Sequence, residues 1–225
     1  MRGRGNGRTL SPAQARRVYN RIGRAQDWQT FYENAAIDDM IAHADFENAA
    51  SVYEFGCGTG DLGRRLLSDH FSPGATYLGV DISDTMVELA ANRLAPWGDR
   101  AEVERVSGEL PLPGEDHRFD RFISTYVFDL LDADHTKAVL GEAHRLLTSD
   151  GLACVVSLTT GPTRATRALS STWQWIWSKS PQLLGGCRPI SVEQQLPAGR
   201  WEILHRTVVT SWAVPSEVVV ARPVS

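Results

Sequence analysis

Glu54, three alternating glycines at 56, 58 and 60, and Asp81 are the residues of this chain whose types and spacing could do chemistry. Backbone without a Cβ takes positive φ and lies flat against a ligand. The helical pattern opening at Asp61 puts free N–H groups and positive partial charge just beyond the turn. Such a turn holds a small polar molecule. Gly58, Gly60 and Gly63 also fit the G-x-G-x-x-G spacing of dinucleotide-binding turns, which on its own points to NAD. An acid at Asp81, closing the next β-prone run, suits the diol of a ribose. Glu54 discriminates between ligands. A carboxylate two positions before the first glycine complements an ammonium or a sulfonium and opposes a pyrophosphate at close range.

The elements that must position these groups follow from the apolar pattern. Strands are expected over 52–55, 76–80, 101–106, 121–125 and 152–157, with helices over 62–70, from a Ser83 cap to 94, and over 134–147. In the helix after Ser83, Met86, Val87 and Leu89 are expected to face inward. Ser149, Asp150 and Gly151 are expected to form a turn, and the fifth run, Leu152 to Ser157, is expected to be a fully buried strand. Strands alternating with helices make right-handed βαβ units and a parallel sheet. Two closing β-prone runs, 201–212 and 218–221, joined at Pro215, are expected to add an antiparallel hairpin to one side of that sheet. Ahead of this core, Ser11 and Pro12 open a helix with Val18, Tyr19 and Ile22 on one face. A second helical run over 27–44 follows, with Trp28, Phe31, Tyr32, Ile37, Met40 and Ile41 at helical spacing.

Hydrophobic residues at 42% and charged residues at 22% are ordinary for a globular protein. No stretch reaches the ~18 apolar residues of a membrane-spanning helix, and no signal-peptide core opens the chain, so a cytoplasmic location is expected. Cys57, Cys154 and Cys187 are too few and scattered for a disulfide framework or a zinc site and are read as reduced thiols. The net charge of -4 conceals an asymmetry: residues 1–24 hold seven arginines and no acid, leaving 16 basic side chains against 27 acidic ones elsewhere. Residues 1–10 read as a disordered basic tail. Residues 11–225 read as one domain, with N-terminal helices to 48, a ligand-binding core over 49–160, a substrate-side insertion over 161–200 and C-terminal strands over 201–225. A nucleic-acid-binding module working through the tail is the non-enzymatic alternative. The acidic body and the absence of aromatics in the tail argue against it.

The segment Val52 to Gly60 resembles the first motif of class I S-adenosylmethionine-dependent methyltransferases, and Gly79 to Ser83 resembles their second. Leu110 to Pro113, with Phe119 to Thr125, is similar to the third and fourth, and Glu142 to Leu152 to the helix, turn and strand that follow. The resemblance spans roughly residues 50–160 in order and spacing. It implies an α/β fold, Rossmann-like and doubly wound, with a mostly parallel seven-stranded sheet, a C-terminal antiparallel hairpin and an N-terminal helical cap. It also implies S-adenosyl-L-methionine as cofactor. By resemblance, Glu54 and the backbone of Gly56, Cys57, Gly58 and Gly60 line the methionine and ribose part, and Asp81 binds the ribose hydroxyls. Ile82 and Met86 flank the adenine, or else serve as core packing. Ser107 and Gly108 stand where many relatives carry an Asp followed by Ala or Gly, so Ser107 departs from the pattern. Thr125 and Tyr126 face the methyl group and the acceptor.

Methyl transfer from a sulfonium is an in-line displacement with a good leaving group, for which alignment and desolvation supply most of the acceleration. A phenol, hydroxyl or acidic carbon as acceptor needs a base to take its proton. Tyr126, Asp129 and His43 are the candidates, with Asp129 equally readable as a helix cap and His43 as a structural or exposed side chain. The pocket in such a fold is bounded here by aromatic-rich segments, Tyr19, Trp28, Phe31 and Tyr32 on one side and Trp173, Trp175 and Trp177 on the other. With Arg164, Arg167 and Lys179 nearby, the latter either packs on the sheet or docks at a membrane surface. The motif pattern is closest to small-molecule, quinone and phospholipid methyltransferases, so the expected acceptor is a small apolar molecule. An NAD-dependent oxidoreductase is the enzymatic alternative.

Overall fold

The computed structural model describes residues 30–160, 188–212 and 214–224. The expected tail, the helix from Ser11 with Val18, Tyr19 and Ile22, Trp28, Cys187 and the segment of Trp173, Trp175 and Trp177 lie outside the described residues. In chain order the elements are α1 (Thr30–His43), β1 (Ser51–Phe55), α2 (Asp61–Asp69), β2 (Thr76–Asp81), α3 (Asp84–Leu94), β3 (Ala101–Arg105), β4 (Phe119–Thr125), α4 (Ala133–Leu146), β5 (Leu147–Leu158), β6 (Trp201–Ser211) and β7 (Val214–Pro223). The seven strands make one sheet in the order β3-β2-β1-β4-β5-β7-β6. The first five are parallel, and β7 runs antiparallel between β5 and β6.

Successive strand residues point to opposite faces, and each central strand feeds two cores. On one face Val52, Ile123, Cys154, Val156, Val218 and Val220 meet Ala36 and Met40 of α1 and Leu62 and Leu66 of α2. On the other, Tyr53, Phe122, Ala153, Val155 and Val219 meet Val139, Leu140, Ala143 and Leu146 of α4. Helices therefore cover both faces, which explains why β5 is buried from Gly151 to Leu158. No helix among the described residues is long and apolar enough to cross a membrane.

Local chemistry sets the helix starts. Ser83 Oγ accepts from the Met86 N–H and caps α3; Asp132 Oδ1 does the same for His135 at the start of α4, each cap contributing about 1 kcal/mol. The buried stripe of α3 is Met86, Ala90 and Leu94. Val87 and Leu89, expected inward with Met86, are only half-buried, because the helical repeat of four places Ala90 beneath Met86 instead. The turn expected at Ser149 to Gly151 is absorbed into β5: Phe119 pairs with Leu147 but Arg121 with Leu152, a bulge that takes up the extra residues. The hairpin turns at Trp212, φ 50, rather than at Pro215. Pro215 lies inside β7 opposite Thr210, one residue from the strand's start, where a missing N–H is tolerated.

Candidate functional site

The strand order reverses between β1 and β4, and beyond the C-terminal ends of these two strands lies the switch point whose crevice takes ligands in open α/β sheets. The turn after β1 and the loop after β4 meet there. Gly56, Gly58 and Gly60 have φ of 76, 53 and 76°. A Cβ on Gly56 would stand 2.4 Å from Cγ2 of Val127, and one on Gly60 3.0 Å from Cα of Ala90, whereas Gly58 has nothing within 4 Å in that direction. Two of the glycines are demanded by close packing, and the middle one presents bare backbone to open space. The N–H groups of Gly56 and Cys57 both donate to the Val80 carbonyl, at 2.8 and 3.0 Å, and fasten the turn to β2. Arg93 on α3 donates to Thr59 Oγ1 at 2.7 Å and pairs with Asp61 at 3.6 Å.

Glu54 lies under this turn, 2% exposed, and accepts a hydrogen bond of 2.6 Å from the Tyr77 hydroxyl. Burial, reinforced by the charges of Asp81 and Asp61 and opposed by the Tyr77 bond, pushes its pKa up to about 8. Asp81 closes the turn from the other side, with Oδ2 accepting from the Gly58 N–H at 3.0 Å and Oδ1 from the Ser83 N–H at 2.8 Å. Burial raises its pKa against the pull of those N–H groups. Cys57 is buried, and burial followed by the charge of Glu54 raises its thiol pKa, so it stays a thiol. Ile82 is half-buried just past β2, and Met86 is 1% exposed. Ser107 is exposed beyond β3, its Oγ accepting from the Glu109 N–H at 3.2 Å, and Gly108 has φ 85°. Downstream of Gly108 the same loop is held by Arg145, which donates to the carbonyls of Leu112 and Gly114 and to Glu142.

Of the proton-transfer candidates, Tyr126 is at the crevice. It follows the half-buried Thr125 at the end of β4, takes φ 56°, and its hydroxyl lies 2.9 Å from Ser216 Oγ. Burial raises its pKa above the ordinary phenol value, so the hydroxyl keeps its proton. A non-glycine residue held at positive φ stores strain, a feature that clusters at functional sites. Asp129 is fully buried; it accepts from Ser157 Oγ at 3.3 Å while its carbonyl takes the Arg188 N–H at 3.0 Å. His43 stands elsewhere: it stacks on His205, with ring centroids 3.6 Å apart. His205 is in register, through Val220, Cys154 and Ile123, with Glu54. That is four strands across, roughly 19 Å at the usual strand spacing.

The sequence reading missed Tyr77. Two glycines make room for it in the fold: a Cβ on Gly63 would stand 2.6 Å from the Tyr77 ring, and one on Gly79 2.8 Å from its hydroxyl. Gly63, counted in the dinucleotide pattern, thus makes room for the partner of Glu54.

A buried carboxylate, a second one aimed at the turn and the open backbone at Gly58 fit a ligand with a cationic amino or sulfonium group and a ribose. S-adenosylmethionine has all three. The sheet with its antiparallel β7 and the carboxylate-flanked glycine turn define a class I S-adenosylmethionine-dependent methyltransferase architecture. Residues 52–151 match the family described as methyltransferase domain.

Among known proteins, a demethylmenaquinone methyltransferase of Leptospira interrogans is 25% identical over 141 residues, covering 60% of this chain and 55% of its own. The chain spans about half the length of the curated relatives it matches. Among solved structures, an S-adenosylmethionine-dependent methyltransferase of Methanosarcina mazei is similar with a TM-score of 0.64 at 16% identity, over 81% of this chain and 96% of that one. The cyclase SpnF is similar with a TM-score of 0.70 at 15% identity, over 98% and 100%. These two likenesses speak for the fold alone.

Proposed function

We propose that this chain transfers a methyl group from S-adenosylmethionine, by in-line displacement, to a small apolar acceptor such as a quinone precursor, lipid or related metabolite. The observation that carries this reading is the buried Glu54 carboxylate beneath the glycine turn, flanked by Asp81 and Asp61. Asp81 and Asp61, joined by Glu54 once a cation draws off its proton, favour a cationic ligand and oppose the pyrophosphate of NAD. Shared fold does not dictate shared reaction, and the SpnF likeness makes the electrostatics of the turn the better guide.

When bound, the cofactor supplies a methyl group on a sulfonium, a good leaving group. The chain's own residues bind and align. Glu54 faces the cationic end, the backbone of Gly56, Cys57, Gly58 and Gly60 lies along the methionine and ribose, and Asp81 takes the ribose hydroxyls. Ile82, Met86, Ser107 and Gly108 surround the adenine. Thr125 and Tyr126 border the acceptor, where Tyr126, protonated through neutral pH, serves as a hydrogen-bond partner rather than a base. The crevice excludes water and holds the two reacting atoms in line.

The name of the Leptospira relative supports a quinone-precursor acceptor. A tryptophan-rich stretch at 173, 175 and 177, with Arg164, Arg167 and Lys179, suits peripheral contact with the lipid surface where such acceptors reside. Incubation with a methyl-labelled donor and a fractionated cell extract tests the proposal: label in the lipid-soluble small-molecule fraction supports it. Label confined to protein or nucleic acid, or to no fraction, contradicts it.

A further inference from the structure

We infer that Asp39, His43 and His205 form a site for one divalent transition-metal ion of the zinc class, joining α1 to the edge strand β6. Asp39 and His43, four apart, share one face of α1, and α1 packs on β6 and β7. A candidate ligand atom from each of the three residues lies within 4.8 Å of the other two. His205 Nε2 is 2.7 Å from Asp39 Oδ1, and His43 Nδ1 is 3.8 Å from the same oxygen and 2.8 Å from the Asp39 carbonyl. Two imidazoles and one carboxylate are the donor set that zinc-class ions take, with water filling the remaining position. Nitrogen donors disfavour magnesium and calcium.

The ion-free arrangement is a stack, with the two rings 4° from parallel. In-plane lone pairs of stacked rings cannot meet at one ion, so binding turns one imidazole about χ2. His43, whose side chain is 44% exposed at the end of α1, is the ring with room to turn. His43 also lines an open cleft with His70 and with Asp38, Asp45 and Glu47, whose carboxylates draw cations toward it; Asp38 is paired with Arg65, also in the cleft, and Asp45 with Arg121. An ion here would tie the C-terminal end of α1 to β6. The site stands four strands from the glycine turn, so the inference is independent of the proposed methyl transfer.

The test titrates the full chain, and its His43→Gln and His205→Gln variants, with Co2+ alone and with Zn2+ alone. The expected result is a visible absorption band from Co2+ at one ion per chain, displaced by Zn2+, and a rise in Tm with Zn2+. Both variants lose the band, and their affinity falls by about tenfold or more. If His205→Gln does not fold, the exposed His43→Gln decides alone. No band and no Tm shift in the parent chain, or the same band in the variants, overturns the inference.

Discussion

The Tyr77 hydroxyl donates to Glu54 Oε2 at 2.6 Å, joining β2 to β1 beneath the glycine turn. This bond spares Glu54 an unmet lone pair in a place 2% exposed but does not offset the loss of water, and the carboxyl keeps its proton to about pH 8. The floor of the crevice is therefore ready to ionise when a cation arrives.

This has a consequence for stability without ligand. The pKa of Glu54 is raised from 4.5 to about 8, so across that window the folded state holds a proton that the unfolded state has released. Stability is greatest below the window and falls as pH rises through it. Urea denaturation should show the parent chain losing on the order of a few kcal/mol relative to Glu54→Gln between pH 5 and pH 8. An unchanged difference between the two proteins would show that Glu54 is solvated.

Two glycines of the turn, Gly56 and Gly58, should behave differently. Gly56→Ala meets Val127 at 2.4 Å as well as an unfavourable φ, and should lower stability by more than ~2 kcal/mol. Gly58→Ala has open space and should lose only about 1 kcal/mol, yet its methyl group enters the crevice and should abolish S-adenosylhomocysteine binding. Thermal melts and calorimetry on the two variants check both halves.

Arg121 fixes the helix side of the sheet. Its guanidinium, 7% exposed, donates to the carbonyls of Ala44, Asp45 and Asp120 at 2.6, 2.7 and 2.9 Å. Arg121→Met leaves those oxygens unmet and should reduce unfolding free energy by roughly 3 kcal/mol in urea denaturation. A loss below the error of the measurement would mean that water replaces the guanidinium.

Asp81 is bound to the N–H groups of Gly58 and Ser83 and is the proposed ribose ligand. Asp81→Ala should weaken S-adenosylhomocysteine binding by about 1.5–3 kcal/mol, the range for hydrogen bonds to a charged group. Unchanged affinity by calorimetry removes Asp81 from the site.

The core was legible in the sequence because local signals there agree: Ser83 caps where the pattern of α3 begins, and the apolar run of β5 announces burial on both faces. The hairpin turn was misplaced at Pro215 because proline marks turns in general, while the residue that bends here, Trp212, carries no local signal for positive φ. The site was half legible. Glu54, the glycines and Asp81 lie in two short motifs, but Tyr77 depends on three-dimensional packing among Gly63, Gly79 and Glu54 that no one-dimensional spacing reveals. The stack of His43 on His205 joins residues from opposite ends of the chain and was invisible for the same reason.

The claim that a cation rather than a pyrophosphate belongs above Glu54 is tested most directly by calorimetric titration with S-adenosylmethionine at pH 7, in two buffers of different ionisation enthalpy. The predicted result is one-site binding that releases about one proton, since Glu54 must ionise to meet the ligand, with the release lost in Glu54→Gln and no heat from NADH. Saturable binding of NADH with none of S-adenosylmethionine, or binding with no proton released, would contradict it.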